Sequence, residues 1–381
     1  VFLVRSESIR AGMRSANTIS TLDGRVLLTA GTVLRESYIE PLLKQGVAAI
    51  YVVNELAPDV VPTDVVAPES RRSLNAELRA VLAQVAPVFS GAVKKEISRF
   101  KIGLDTERLT KAVGRVVDDL LRNPQVVFSL QDIRTSDEYT LGHSVNVCIL
   151  ATLLGTVMQY TETELKDLAV GAVLHDVGKV ATPPEILNKP AALTPEEFAI
   201  MKQHTTMGWQ ILSDQNSVRP VAAIVALQHH ERWSGEGYPR GLGGEQIYKH
   251  SRICAVADCY DAMISDRVYR PGMAPGQALE IIAEGMGGFF QPGLGWSFAQ
   301  CVAPYPVGSL VQITGGRQAV VVAVNRGQTY RPRIRVVLDK DGRPVPGDTE
   351  IKLDENPDIR IIRMVREQAP EFSLHSVVDE G

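Results

Sequence analysis

Five of the chain's seven histidines, His143, His175, His204, His229 and His230, sit in apolar sequence within one stretch that reads as helix. A buried imidazole needs a hydrogen-bond partner or a metal ion, so a fold that buries all five must supply partners for each. A single such histidine is ordinarily a hydrogen-bonded core residue. Five of them, together with Asp176 and Asp258 in similar settings, call either for many separate buried partners or for one shared centre that binds metal.

Three short segments carry this signal. In LHDVGK, His175 and Asp176 end an apolar helix and Lys179 follows within a turn. A carboxylate has two oxygens and can bridge two metal ions, although an ion pair or a cap also explains the dipeptide. His229 and His230 place two imidazoles side by side, pointing in different directions, one for each of two metals. Asp258, in ICAVADCYDAM, is a carboxylate in an otherwise apolar helix, costly there unless it is paired, metal-bound or accepting an interhelical hydrogen bond.

Around this stretch the pattern changes. Residues 1–56 alternate apolar runs with turn signals, such as Asp23-Gly24 between Ile19 and Val26, and end on the strand-like Ala49–Val53, which describes a small α/β module. Residues 57–70, with APDVVPTDVVAP, read as a linker. Residues 71–104 read as a connecting helix that either serves a dimer or a signal relay or packs on its own domain. Residues 105–303 are mainly helical, with two explicit starts: Thr161 with Glu164, and Thr194 with Pro195 and Glu197. The first helix is expected to run toward His175 and the second to carry His204. Residues 304–366 turn to strands, Leu310–Thr314, Ala319–Val324 and Ile334–Leu338, with turns at Gly315-Gly316 and Asp341-Gly342, and 367–381 reads as a tail. The expected fold is therefore mainly α, a helical bundle with a small N-terminal α/β module and a small C-terminal β-rich module.

A net charge of -4 gives no field for bulk nucleic acid, so a phosphate ligand must meet local cations, with Lys179, Arg267 and Arg270 as candidates. Apolar runs such as Val145–Val157 fall short of the roughly 18 to 20 residues of a membrane span, and no signal-peptide pattern is visible. The four cysteines, Cys148, Cys254, Cys259 and Cys301, form no CxxC pair. Buried free thiols in a reducing, cytoplasmic setting without membrane insertion are the expectation.

The segments HDVGK, KQHTTMGWQIL, HHERWSGEGYP and ADCYDAMISDRVYR occur in the order found in the HD-GYP family, and over roughly residues 105–303 the chain resembles that family. The resemblance implies an all-helical HD bundle, a cyclic di-GMP phosphodiesterase activity and divalent metal ions, usually iron or manganese, with zinc or nickel able to occupy the site in vitro. It implies His143, His175, Asp176, His204, His229, His230 and Asp258 as metal ligands, with Asp176 bridging. Lys179, Arg267 and Arg270 match positions that hold substrate phosphates, although Arg267 or Arg270 can equally cap the Asp258 helix. Gly235, Gly237, Tyr238 and Pro239 match the family's namesake loop, with Tyr238 packing on it or facing the ligand and the glycines also explicable as a plain turn.

Two departures bear on this. Members with three metals have a glutamate where this chain has Tyr139, and Glu138 is displaced by roughly 100° around a helix, which favours two metals. Gln291 stands where many members have aspartate. The expected mechanism has a water shared by two metals polarised to hydroxide and attacking phosphorus in line with the leaving 3′ oxygen, giving linear pGpG, with GMP as an open further product. Asp176 and Lys179 are the catalytic candidates. Other readings are a cyclic di-GMP sensor with negligible turnover and a phosphodiesterase for another cyclic dinucleotide. A homodimer or a signalling protein is the expected macromolecular partner.

Overall fold

The computed structural model describes residues 2–5, 9–20, 26–45, 47, 49–53, 57–60, 64–89, 104–123, 127–128, 139–213, 215, 217–265, 272–345 and 349–365. The first elements are strands β1 (Phe2–Arg5), β2 (Ile19–Ser20) and β3 (Val26–Leu28), helix α1 (Glu36–Lys44) and strand β4 (Ala49–Val52). Helices follow: α2 (Pro68–Phe89), α3 (Glu107–Arg122), α4 (Tyr139–Val157), α5 (Glu162–Val173), α6 (Pro184–Leu187), α7 (Pro195–Met201) and α8 (Gln203–Ser213). Then come α9 (Pro220–Gln228), α10 (Lys249–Ile264), α11 (Pro275–Glu284) and α12 (Leu294–Ala299). The last are strands β5 (Leu310–Ile313), β6 (Gln318–Ala323), β7 (Arg333–Leu338), β8 (Glu350–Lys352) and β9 (Ile361–Met364).

The N-terminal elements form two antiparallel pairs, β1 with β4 and β2 with β3, and share with α1 a small core of Ile9, Ile19, Leu34, Leu42 and Ile50. Asp23-Gly24 lies outside the described residues, as does the 367–381 tail.

The helical body has one continuous apolar core running from Val65 to Val302. Its logic is visible in α3, where Leu109, Ala112, Val113, Val116, Val117 and Leu120 recur every three or four residues and are all buried on one face. Both expected helix starts are present as reciprocal capping boxes, Thr161 with Glu164 and Thr194 with Glu197. The second helix does not reach His204 unbroken: α7 ends at Met201, and α8 starts at Gln203. Side chains take the carbonyls there, with His204 Nδ1 2.7 Å from Met201 O and the Thr205 hydroxyl donating to Lys202 O at 2.9 Å.

Helix α4 is longer than the apolar run suggested, because residues 139–144 join it. Its Thr140–Val157 window is long and apolar enough to cross a membrane, yet 78% of that window is buried inside the protein, as in a central core helix.

The helix expected as a connector packs on its own domain, one of the two alternatives, and starts earlier than expected. Helix α2 begins at Pro68, inside the segment read as linker, and Leu74, Leu78, Val81 and Val85 join the same core as α3 and α4. Residues 57–60 are docked as well, Ala57 and Val60 packing on Val320 and Val337. The prolines prevent a helix there, but the interleaved alanine and valine side chains still have apolar surface to bury. Residues 90–103 lie outside the described residues.

The C-terminal strands make one antiparallel sheet in the order β8-β7-β6-β5-β9. Gly315 and Gly316 turn β5 into β6 at φ +82° and +79°, as their sequence suggested. Strands β8 and β9 were not expected: β8 alternates over only three residues, Glu350-Ile351-Lys352, too few to mark a strand, and β9 is partly exposed and does not alternate.

Candidate metal centre

Five segments converge on one buried point. Helix α4 brings His143; the turn after α5 brings His175 and Asp176; α8 brings His204; the turn after α9 brings His229 and His230; α10 brings Asp258. The five histidines and Asp176 are all buried. Three groups have ligand atoms within 4.8 Å of one another: His143, His175 and Asp258; His204, His229 and His230; and His175, Asp176 and His229.

Asp176 lies between them. Its Oδ2 is 3.2 Å from His175 Nε2 and 3.9 Å from His143 Nε2, while Oδ1 is 3.5 Å from His204 Nε2 and 3.7 Å from His229 Nε2. Asp258 Oδ1 closes the first side, 3.0 Å from His143 Nε2 and 3.9 Å from His175 Nε2. Each oxygen of one carboxylate thus faces a different histidine group. Lys179 Nζ sits at the edge, 2.9 Å from Asp176 Oδ2.

The rings are oriented from behind. Nδ1 lies 2.7 Å from Ala172 O in His175, 2.7 Å from Met201 O in His204, and 2.9 Å from Ala226 O in His229. A carbonyl can only accept, so each Nδ1 carries the proton and each Nε2 turns a lone pair to the centre. In His143 the same task falls to a carboxylate, Asp261 Oδ2, 2.8 Å from Nδ1. His229 and His230 do not diverge as expected. The carbonyl tether turns His229 back along α9, Tyr238 stacks on His230 at 4.7 Å, and the two rings lie 4.1 Å apart.

Burial depresses the histidines, His204 to about 4, His229 to about 3 and His230 well below its usual value, which leaves neutral ligands. Burial opposes the charge on Asp176 and Asp258. Both nevertheless stay well below the usual carboxylate range, Asp176 with the Lys179 ammonium 2.9 Å from Oδ2. Buried His230 Nε2 has no hydrogen-bond partner among the described residues, and His175 Nε2 and the Asp176 oxygens meet none at hydrogen-bonding geometry. Neutral imidazoles, two ionised carboxylates and inward-facing atoms left without hydrogen bonds fit divalent cations, and the cluster is able to bind metal.

Two glycines permit this packing. A Cβ on Gly178 would stand 1.9 Å from His204 O, so only glycine lets the turn after Asp176 lie against α8. A Cβ on Gly237 would stand 2.4 Å from Arg232 N and 2.5 Å from His230 O, which explains the loop before Tyr238. That loop, whose Tyr238-Pro239 peptide is cis, is tied down by buried Glu231, which accepts from the backbone N–H groups of Arg240 at 2.8 Å and Leu242 at 2.9 Å. A cleft open to solvent borders His229, His230 and Asp258, walled by Phe289 and Phe290, with the Arg232 guanidinium 4.2 Å from the Phe289 ring.

The sequence reading missed Asp261, Asn146, Glu231 and Arg232. Asp261 carried a signal, a second carboxylate three residues after Asp258 in the same apolar helix. Gln291 accepts from Arg252 at 3.2 Å, and Arg252 in turn bonds Ile247 O, which gives that position a structural task. Arg267, Arg270 and Glu138 lie outside the described residues.

A family model described as an HD domain matches residues 125–292, and one described as a KOW domain associated with HD domain matches 310–372. The chain is 37% identical over 250 residues to the cyclic di-GMP phosphodiesterase PA4108 of Pseudomonas aeruginosa, covering 65% of this chain and 60% of that one. It is 47% identical over 135 residues to a cyclic di-GMP phosphodiesterase of Thermotoga maritima, covering 35% and 37%. The chain therefore spans less than two thirds of either relative. Its fold is that of Bd1817, a HDG"Y"P protein from Bdellovibrio bacteriovorus, with TM-score 0.50 at 17% identity over 78% of this chain and 97% of that one. With the HD domain matched across the histidine cluster and Tyr238 of the Gly237-Tyr238-Pro239 segment stacked on His230, residues 125–292 are an HD domain of the HD-GYP type.

Proposed function

We propose that this chain is a metal-dependent phosphodiesterase that hydrolyses cyclic di-GMP to linear pGpG and onward to GMP. The observation that carries the reading is the split of Asp176, one oxygen toward His143 and His175 and the other toward His204 and His229. A carboxylate so placed suits two divalent ions. His143, His175 and Asp258 would hold one, His204, His229 and His230 the other, with Asp176 shared. All these donors are nitrogen or oxygen, which suits iron or manganese. Bound there, the ions would supply Lewis acidity and an activated water.

The chain's own groups do the rest. Lys179 offers an ammonium to the nonbridging phosphate oxygens, where charge grows in the transition state. Tyr238 fixes the His230 ring by stacking. The cleft beside Phe289 and Phe290 gives a flat purine an apolar wall. Arg267 and Arg270, which follow α10 in the sequence, are further phosphate-binding candidates.

The test uses protein purified without oxygen, reconstituted with iron or manganese and incubated with cyclic di-GMP, with products separated by chromatography and metals counted per chain. Linear pGpG or GMP with about two metals bound supports the proposal. Tight binding without product moves the chain to the sensor class, and faster turnover of another cyclic dinucleotide overturns the substrate.

A further inference from the structure

His143 differs from its neighbours in what stands behind it. The other anchored rings lean on backbone carbonyls, which the helix fixes, whereas His143 leans on a side chain that must itself be held. Asp261 Oδ2 takes the His143 Nδ1 proton in a hydrogen bond, and its Oδ1 accepts from Asn146 Nδ2 at 3.0 Å. The Asn146 oxygen accepts from Arg71 at 2.9 Å. Arg71 then forks onto Asp64 through two bonds of 3.0 Å. His143, Asp261, Asn146 and Arg71 are all buried.

The order of donors along this chain admits one sense only. Arginine can only donate and an ionised aspartate only accept, so the amide between them must turn its oxygen to Arg71 and its nitrogen to Asp261. The direction ends at His143, whose Nδ1 proton it holds, so that the ring's Nε2 faces Asp258 at 3.0 Å and Asp176 at 3.9 Å. A buried charged network adds little to stability compared with apolar packing of the same volume. Fixing the tautomer and direction of a metal-facing ring is a task that such a network performs well.

We infer that Arg71, on α2 and outside the residues matched by the HD domain, is a positioning residue for the metal centre, acting through Asn146 and Asp261 on His143. This rests on the metal-site reading above. It makes the centre depend on a helix that precedes the matched domain.

The test measures Mn²⁺ affinity of the chelator-stripped full chain by calorimetry, and the His143 tautomer by ¹⁵N chemical shifts. Asp261→Asn is expected to weaken Mn²⁺ binding about 10–100-fold, the usual effect of losing a partner behind a ligand. Arg71→Met weakens it in the same direction but less, and the double variant loses no more than Asp261→Asn alone, because both act along one route. Arg71→Lys, which keeps the charge but not the fork, serves if the Met variant does not fold. A folded Arg71 variant with unchanged Mn²⁺ affinity, or losses that simply add, overturns the inference. No Mn²⁺ binding by the unaltered chain overturns the metal-site reading instead.

Discussion

The Nε2 atoms of His204 and His229 stand 3.3 Å apart. Both rings commit Nδ1–H to a backbone carbonyl and both are kept neutral by burial, so two lone pairs confront each other. A cation between them turns that repulsion into coordination. Stripping metal with a chelator should therefore lower the thermal midpoint, and Mn²⁺ at about 100-fold its Kd should restore about 2.7 kcal/mol, or about 5–10 °C. Differential scanning fluorimetry checks this, and His229→Leu should lose the metal-dependent gain.

Gly178 is where the turn after Asp176 meets α8. Gly178→Ala puts a methyl against His204 O, and neither backbone can yield without moving His204 relative to Asp176. The expected cost is about 1–3 kcal/mol in urea unfolding, together with fewer metals retained per chain. Normal metal content in a stable variant would count against the packing argument.

Lys179 touches Asp176 but belongs to none of the metal-holding groups among the described residues. Lys179→Met should keep both metals and lower kcat on cyclic di-GMP by about 100- to 1000-fold, the scale for losing one donor to developing charge. Steady-state kinetics with metal analysis on the same sample separates this from loss of the centre.

His250, at the start of α10, is buried against Tyr160 and Tyr248, with the Lys249–Glu164 ion pair beside it. Burial lowers it from 6.5 to about 4. The unfolded chain takes up a proton there below about pH 6.5 and the folded one does not until about pH 4, so folding stability falls as pH drops through that window. His250→Gln lacks this loss. The gap in thermal midpoint between the variant and the unaltered chain should narrow from about pH 7 to about pH 5, measured with metal bound.

Much of the centre was legible because its residues are chemically out of place. Imidazoles and carboxylates in apolar helices, at His143, His175, Asp176, His204, His229, His230 and Asp258, have few bland explanations when taken together. The caps at Thr161 and Thr194 were legible because a capping box is local. What stayed hidden was set by distance. Arg71 and Asn146 are 75 residues apart, and no local pattern announces their contact. The turn at Lys202 depends on side chains competing for carbonyls, which periodicity does not register. The docking of residues 57–60 was masked by prolines that signal the absence of a helix and say nothing of packing.

Arg335 on β7 grips Asp59 through two bonds, of 2.6 and 2.8 Å, across 276 residues of sequence. During synthesis that clasp has no second half until β7 has left the ribosome, on the order of tens of seconds after Asp59 emerges. Ala57 and Val60 spend that interval without the sheet that covers them. A nascent chain, or any fragment cut before β7, thus presents a sticky apolar segment to chaperones and proteases just ahead of the helix that carries Arg71.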